Sequence, residues 1–230
     1  MGGGWSAEMS YKFDWDVVFN RDMVTLVVLG LKYTFLISVL SLLFGNVVGL
    51  LAALLRISRR APLTQIAYIY IDFFRTTPAL VQLIWIFYVL PIVLGINLDP
   101  ITAGVIALSL NAGAFLAEVF RAGIESISRG QRDAASVLGL SRLQSFVFVL
   151  LPQALRRVLP ATGNVLIGLI KDSALLTTIA VPELTYQIQT DVARTFRPLE
   201  LYTALAFLYF ALTYPLSLAA SALERRYRVT

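Results

Sequence analysis

The stretch that decides the fold is Asp133–Pro152, DAASVLGLSRLQSFVFVLLP, set between two strongly apolar regions. Its pattern predicts a short amphipathic helix, a break at Gly139, and a second helix ending at Leu151-Pro152. Ala134 and Ala135 are small enough to admit a close surface, and Gly139 has no Cβ to stop the chain turning sharply. Val137, Leu138 and Leu140 supply an apolar edge, ringed by Arg132, Asp133 and Arg142. A small-residue knob with a charged rim, emerging between membrane spans, has the makings of a docking element. An ordinary cytoplasmic loop helix is the plainer explanation.

Composition sets the class. Of 230 residues, 58% are hydrophobic and only 14% charged, and the mean hydropathy is +0.76. A soluble domain would be roughly 45–50% apolar and about 25% charged, so the excess faces lipid and the chain is an all-α integral membrane protein. The net charge of +5 does not point to nucleic acid, because the basic residues sit beside apolar spans as orientation signals. With no cysteine there are no disulfides or thiolate ligands, and with no histidine the commonest general base and metal ligand are missing. No Gly-x4-Gly-Lys run is present, so the chain has no P-loop.

Working outward, residues 1–22 are polar and aromatic, and Trp5, Tyr11, Phe13, Trp15 and Phe19 favour the headgroup layer. Five spans follow, at about residues 28–55, 78–94, 101–120, from Pro160 to about 181, and 201–223. The first exceeds the roughly 20 residues a crossing needs and carries a small-x3-small pair at Gly45 and Gly49. Arg56, Arg59 and Arg60 read as a stop-transfer cluster, and residues 64–75 as an aromatic interfacial helix. Thr77-Pro78 reads as an N-cap with Pro at the first helical position. PELTYQIQTDVARTFRPLE is expected to be an outer loop with a short helix of its own. With the N-terminus outside and the C-terminus in the cytoplasm, thirteen of nineteen Lys and Arg fall inside, four outside and two within spans. One domain, 1–230, is expected, with a cytoplasmic loop at 121–152.

Lys171 and Asp172 lie roughly 20 Å into the fourth span at 1.5 Å per residue. Charge at such depth is costly and reads as functional, though a structural pair holding two spans is the alternative for Lys171. Ser173 and Thr177 add hydroxyls nearby. Glu118 and Arg121 are spaced to pair on one helix face. Asn111 and Gln82 can hydrogen-bond between helices or face a ligand, and Glu183, Gln187 and Gln189 read as a solvated face or an outer contact. The candidate substrate set is therefore Lys171, Asp172, Ser173, Thr177, Asn111 and Glu118, with no metal site.

The opening stretch resembles the EAA motif of ABC-importer permeases: Glu-Ala-Ala, three residues, Gly, nine residues, Ile-x-Leu-Pro. Here Asp133-Ala134-Ala135, Gly139 and Val149-Leu150-Leu151-Pro152 keep both spacings, with Asp for Glu and Val for Ile. FFRTTPALVQ, GAFLAEVFRAGIESISRGQ, LPQALRRVLPATGN and LIKDSALLTTIAVPEL are similar to the polar amino-acid subfamily. The resemblance implies that Asp133, Ala134, Ala135, Gly139, Leu151 and Pro152 form a coupling helix and its support, seated in a cytoplasmic ATPase. It implies ATP and Mg bound by that ATPase dimer and no cofactor in this chain. It further implies a second permease chain, an extracytoplasmic binding protein, and residence in the bacterial inner membrane. The function implied is import of a polar amino acid by a non-catalytic subunit, the alternative being an ATP-independent channel or secondary carrier.

Overall fold

The computed structural model describes residues 11–58 and 60–227, and only the backbone of Arg132, Arg142 and Tyr227. Trp5 of the interfacial segment, Arg59 of the stop-transfer cluster and the rim side chains Arg132 and Arg142 therefore lie outside the described residues.

The described residues form helices and turns, with no strand among them. The helices run α1 (Asp16–Phe19), α2 (Arg21–Ile57), α3 (Ala61–Thr76), α4 (Ala79–Ile84), α5 (Leu90–Leu94) and α6 (Pro100–Glu125), then α7 (Arg129–Val137), α8 (Arg142–Gln144), α9 (Leu151–Asp172), α10 (Leu184–Thr195) and α11 (Pro198–Tyr227). α2, α6 and α11 are each long and apolar enough to cross a membrane; two bent pairs bring the number to five if each is one span. The first pair turns by 108° between Thr76 and Ala79, the second by 48° between Ile179 and Leu184.

The centre is the α2–α6 crossing, and its closeness follows from the glycines. A Cβ on Gly49 would meet Leu116 Cβ at 2.7 Å and the Gly113 carbonyl at 2.8 Å. One on Gly45 would meet Ala112 at 3.3 Å. The small-x3-small pair thus does what its spacing predicts, since between lipid-solvated helices contact comes from dispersion at short range. Around this crossing Ile37, Leu83, Ile86, Ala107, Leu108, Leu169 and Leu176 form the main buried cluster. α3 turns back along α2, burying Ile71 against Ala52 and Ala117, and Tyr70 donates to the Leu110 carbonyl at 2.7 Å.

Several boundaries differ from expectation, each for a local reason. α2 starts at Arg21, because Asn20 caps it by accepting from the Met23 N–H at 2.7 Å. Thr77 ends α3 and does not cap the next helix; its hydroxyl donates to the Phe73 carbonyl, and Pro78 takes the cap position. The helix beyond Gly139 does not stop at Leu151-Pro152 but runs through Pro152 and Pro160 to Asp172. A π-helical segment, Ser145–Leu150, precedes Pro152, as another, Trp85–Val89, precedes Pro91. A proline clashes with the carbonyl four residues back, and the wider π turn relieves that clash. The segment expected as a polar outer loop contains α10, half buried: Leu184, Gln187, Ile188 and Asp191 pack inward. Glu183 is fully buried and caps α10 by accepting from the Thr185 and Tyr186 N–H groups.

Candidate functional site: a polar groove and a docking knob

The knob is built from α7 and the turn after it. Arg129–Val137 folds as one amphipathic helix, with Ala135 buried against the bundle and Asp133 and Ala134 exposed. Gly139 takes φ of +74°, the left-handed conformation that a Cβ disfavours. The Leu140 N–H then reaches the Ala135 carbonyl at 3.1 Å and the Gly139 N–H the Ser136 carbonyl at 3.0 Å. This is the paired bonding of a Schellman stop. It leaves Val137 87% and Leu138 77% exposed at the tip. Ile127, Ile124, Leu150 and Ala154 form the small core beneath it, and Gln153 donates to Gln131 at 3.2 Å. Leu151 is half-buried and Pro152 exposed, on the supporting helix. Sequence reading missed a further brace. Ser141 and Gln144 exchange side-chain-to-backbone bonds at 2.9 and 3.3 Å, a capping box spelled by S-x-x-Q.

The groove, about 530 Å³, lies between α6 and α9 with Arg75 at the end of α3. Asn111, Phe115, Glu118, Asn164, Gly168 and Asp172 line it among smaller apolar residues. Asn111 is fixed by the elbow between α3 and α4: its amide donates to the Phe74 carbonyl at 3.1 Å and to Gln82 at 3.0 Å. Gln82 in turn donates to the Phe74 and Thr77 carbonyls at 2.9 and 3.0 Å. That network holds the 108° bend against α6. Gln82 is wholly used in packing; Asn111 keeps its carbonyl oxygen on the groove.

Glu118 is tied twice, to Arg56 of α2 and to Arg121 one turn along α6, and Arg121 also bonds Glu125 at 2.6 Å. The pairing read from the i, i+3 spacing is present, and the Arg56 partner is new. Asp172, by contrast, is half-buried at the end of α9 and makes no hydrogen bond or ion pair among the described residues. Arg75 has no ion pair among them either, and its guanidinium lies over Phe115 at 5.6 Å.

The groove therefore gathers Asn111, Glu118 and Asp172 from the six candidates. Lys171 is exposed outside it. Ser173 is buried and donates to the Ile170 carbonyl at 2.8 Å, and Thr177 donates to Gln189 at 3.0 Å. Lys171 and Asp172 are neighbours in the last turn of α9, about 100° apart around the helix, and only Asp172 lines the groove. Arg75 and Asn164 were not anticipated. Asn164, Gly168 and Asp172 recur every four residues, a stripe down one face of α9.

Residues 45–229 match the family described as "Binding-protein-dependent transport system inner membrane component". The glutamine transport system permease protein GlnP of Escherichia coli K12 is 40% identical over 219 residues, 95% of this chain and 99% of that protein. The L-cystine transport system permease protein TcyB of Bacillus subtilis is 38% identical over 213 residues, covering 92% and 90%. Among solved structures, an amino acid ABC transporter with histidines superimposes with a TM-score of 0.85 at 36% identity, covering 94% of this chain and 100% of that one. The inward-facing MetNI methionine transporter shares the fold, with a TM-score of 0.76 over 91% of this chain at 24% identity.

Proposed function

The chain belongs to the binding-protein-dependent transport system inner membrane components and is the membrane subunit of an amino-acid ABC importer; from that premise we propose how it works. It crosses a bacterial cytoplasmic membrane five times, with the α1 end outside and the α7 knob in the cytoplasm. Two such chains, or this one and a paralogue, sit above a pair of ATPase subunits that bind ATP and Mg. An extracytoplasmic binding protein delivers the substrate. Hydrolysis belongs to the ATPases, because this chain has no phosphate-binding loop.

The observation that carries this reading is the knob itself. A helix held rigidly by its Schellman stop, yet presenting Val137 and Leu138 to solvent, is an apolar tip without an internal partner. Exposed apolar residues rimmed by charge mark contact sites. Asp133, Ala134 and Ala135 lie along the seated helix, Gly139 closes it, and Leu151 and Pro152 brace it from behind. Approach of the ATPases would move α7 and, through Gln131–Gln153 and the shared core, α9 with its groove wall.

In the groove, an amino acid's ammonium group would face Asp172 and its carboxylate Arg75, with Asn111 and Asn164 left for a polar side chain. This replaces Lys171 as the cationic partner and leaves Ser173 and Thr177 to packing. GlnP and TcyB are named for glutamine and L-cystine, so L-glutamine is the first substrate to try.

The test is uptake of labelled L-glutamine by proteoliposomes holding the full transporter and its binding protein. Wild type accumulates it only with internal ATP. Gly139→Val, which cannot hold the left-handed turn without strain, loses the ATPase and the uptake together. Uptake without nucleotide would overturn the reading in favour of a self-sufficient carrier.

A further inference from the structure

At the α1 end, α2 and α11 part above the contact of Met23 with Leu201 and Leu205, leaving a slot of about 480 Å³. Its lining is almost entirely apolar: Val24, Val27 and Val28 from α2, Ala204, Phe207 and Ala211 from α11, with Trp15 and Phe19 across the top. Ala204–Ala211 lie about 9–20 Å along α11 from Pro198, at 1.5 Å per residue. Both walls belong to helices long and apolar enough to cross a membrane, and the slot lies at the α1 end of the two.

The roof is fixed in place. Tyr11 donates to Glu200, the Asp14 N–H donates to the same carboxylate at 2.8 Å, and Arg197 donates to the Lys12 carbonyl at 2.6 Å. Phe13 stacks on Trp15 at 6.2 Å between ring centroids. A segment of this length needs such tethers to stay ordered, because holding each residue in one backbone conformation costs roughly 1–2 kcal/mol.

Residues close in sequence to Trp15, Phe19 and Met23 of the lining carry both signs of charge. Lys12 and Arg21 are exposed and carry no ion pair among the described residues. Asp14 and Asp16 flank Trp15 in the chain, and Asp22 reaches Arg194 only at 3.9 Å. A single-sign headgroup would be attracted by one set and repelled by the other. A headgroup with phosphate and ammonium together suits both.

We propose that this slot holds one acyl chain of a phosphatidylethanolamine molecule, its phosphate beside Arg21 and its amine beside Asp16. The lipid completes the packing between α2 and α11 where protein side chains leave a gap. α11 is then seated in part through lipid at this end.

To test this, the intact transporter is equilibrated in vesicles of equal phosphatidylethanolamine and phosphatidylglycerol, extracted, and its retained phospholipid counted by native mass spectrometry. Wild type keeps one phosphatidylethanolamine per permease chain beyond the number kept by Ala204→Trp or Val24→Trp, which fill the slot from its two walls. Thr203→Trp, on a neighbouring face of α11, keeps it. Equal retention in wild type and both filled variants, or phosphatidylglycerol in its place, overturns the proposal. A second measurement needs no filled slot. Brominated acyl chains on phosphatidylethanolamine quench the fluorescence lost in Trp15→Phe at least twofold more than the same chains on phosphatidylglycerol, and equal quenching overturns it.

Discussion

Two carboxylates line the same groove and are treated oppositely. Glu118 is clasped by Arg56 and Arg121; Asp172, on the facing helix, makes no hydrogen bond or ion pair among the described residues. A charge within a span is retained against its desolvation cost when it is paired or when it works. Glu118 shows the first condition, since its two arginines come from α2 and α6 and so fasten the central crossing. Asp172 meets only the second, as does Arg75 across the groove. The contrast separates fastening from function more sharply than charge or depth alone.

The largest expected effect comes from breaking the crossing beneath Glu118. Gly49→Leu would drive a side chain into Leu116 and the Gly113 carbonyl, already at 2.7 and 2.8 Å from a bare Cβ. Overpacking of this kind costs about 1–3 kcal/mol and more where backbone is struck. Thermal unfolding in detergent is expected to show the biggest loss here, because Arg56 is also carried away from Glu118.

Glu118→Gln comes next. It leaves two arginines facing a neutral amide in a site where the three side chains are 19–30% exposed. Removing one member of a buried pair costs about 3–5 kcal/mol, and the partial exposure brings the expectation to about 1–2 kcal/mol. The double change Glu118→Leu with Arg56→Met should recover part of it. A loss no greater than that of Asp172→Asn would erase the contrast between the two carboxylates.

Asp172→Asn reverses the pattern. With no partner to strand, its unfolding midpoint should stay within about 0.5 kcal/mol of wild type, as for a substitution that breaks no contact. ATP-driven uptake of L-glutamine should fall at least tenfold, while the ATPase still co-purifies. Arg75→Gln should lose uptake alike, with a further loss of about 0.5–1 kcal/mol in stability from its contact over Phe115. Unchanged uptake in both would leave the groove without a role in transport.

The same contrast marks where sequence was informative. Gly45 and Gly49 announce a close crossing and Gly139 a left-handed turn, because in each case the missing Cβ is itself the signal. Glu118–Arg121 was legible as an i, i+3 pair, whereas Arg56, sixty-two residues away, needed the α2–α6 packing to become its partner. Lys171 looked equivalent to Asp172 because adjacency in sequence says nothing of which face each residue takes. Pro152 and Pro160 hid the true start of α9, since the π segment that accommodates the first has no composition of its own. Asn164 lay inside the expected fourth span, where an uncharged side chain stood out less than Lys171 and Asp172. Glu183, Gln187 and Gln189 read as a solvated face or an outer contact; Gln189 is exposed, but the backbone N–H groups at the start of α10 require an acceptor, and burying Glu183 supplies it.

The smallest effect concerns a carboxylate outside the spans, a third case beside the two in the groove. Asp99 caps α6, accepting from the Ile101 and Thr102 N–H groups at 3.0 Å each. Bonds to Thr102, from side chain and backbone, favour its charged form and hold it below the usual aspartate range. A depressed folded value stabilises the fold above the unfolded value, near 3.9, and that contribution is lost as pH falls through the folded value. Stability should therefore decline from about pH 4 downward, and Asp99→Ala should flatten that slope while costing about 1 kcal/mol at neutral pH through the lost cap. Uptake at neutral pH should hardly change, because Asp99 neither fastens the groove nor faces it. If Asp99→Ala lowered uptake as much as Asp172→Asn, the freedom of Asp172 from any partner would no longer mark it out.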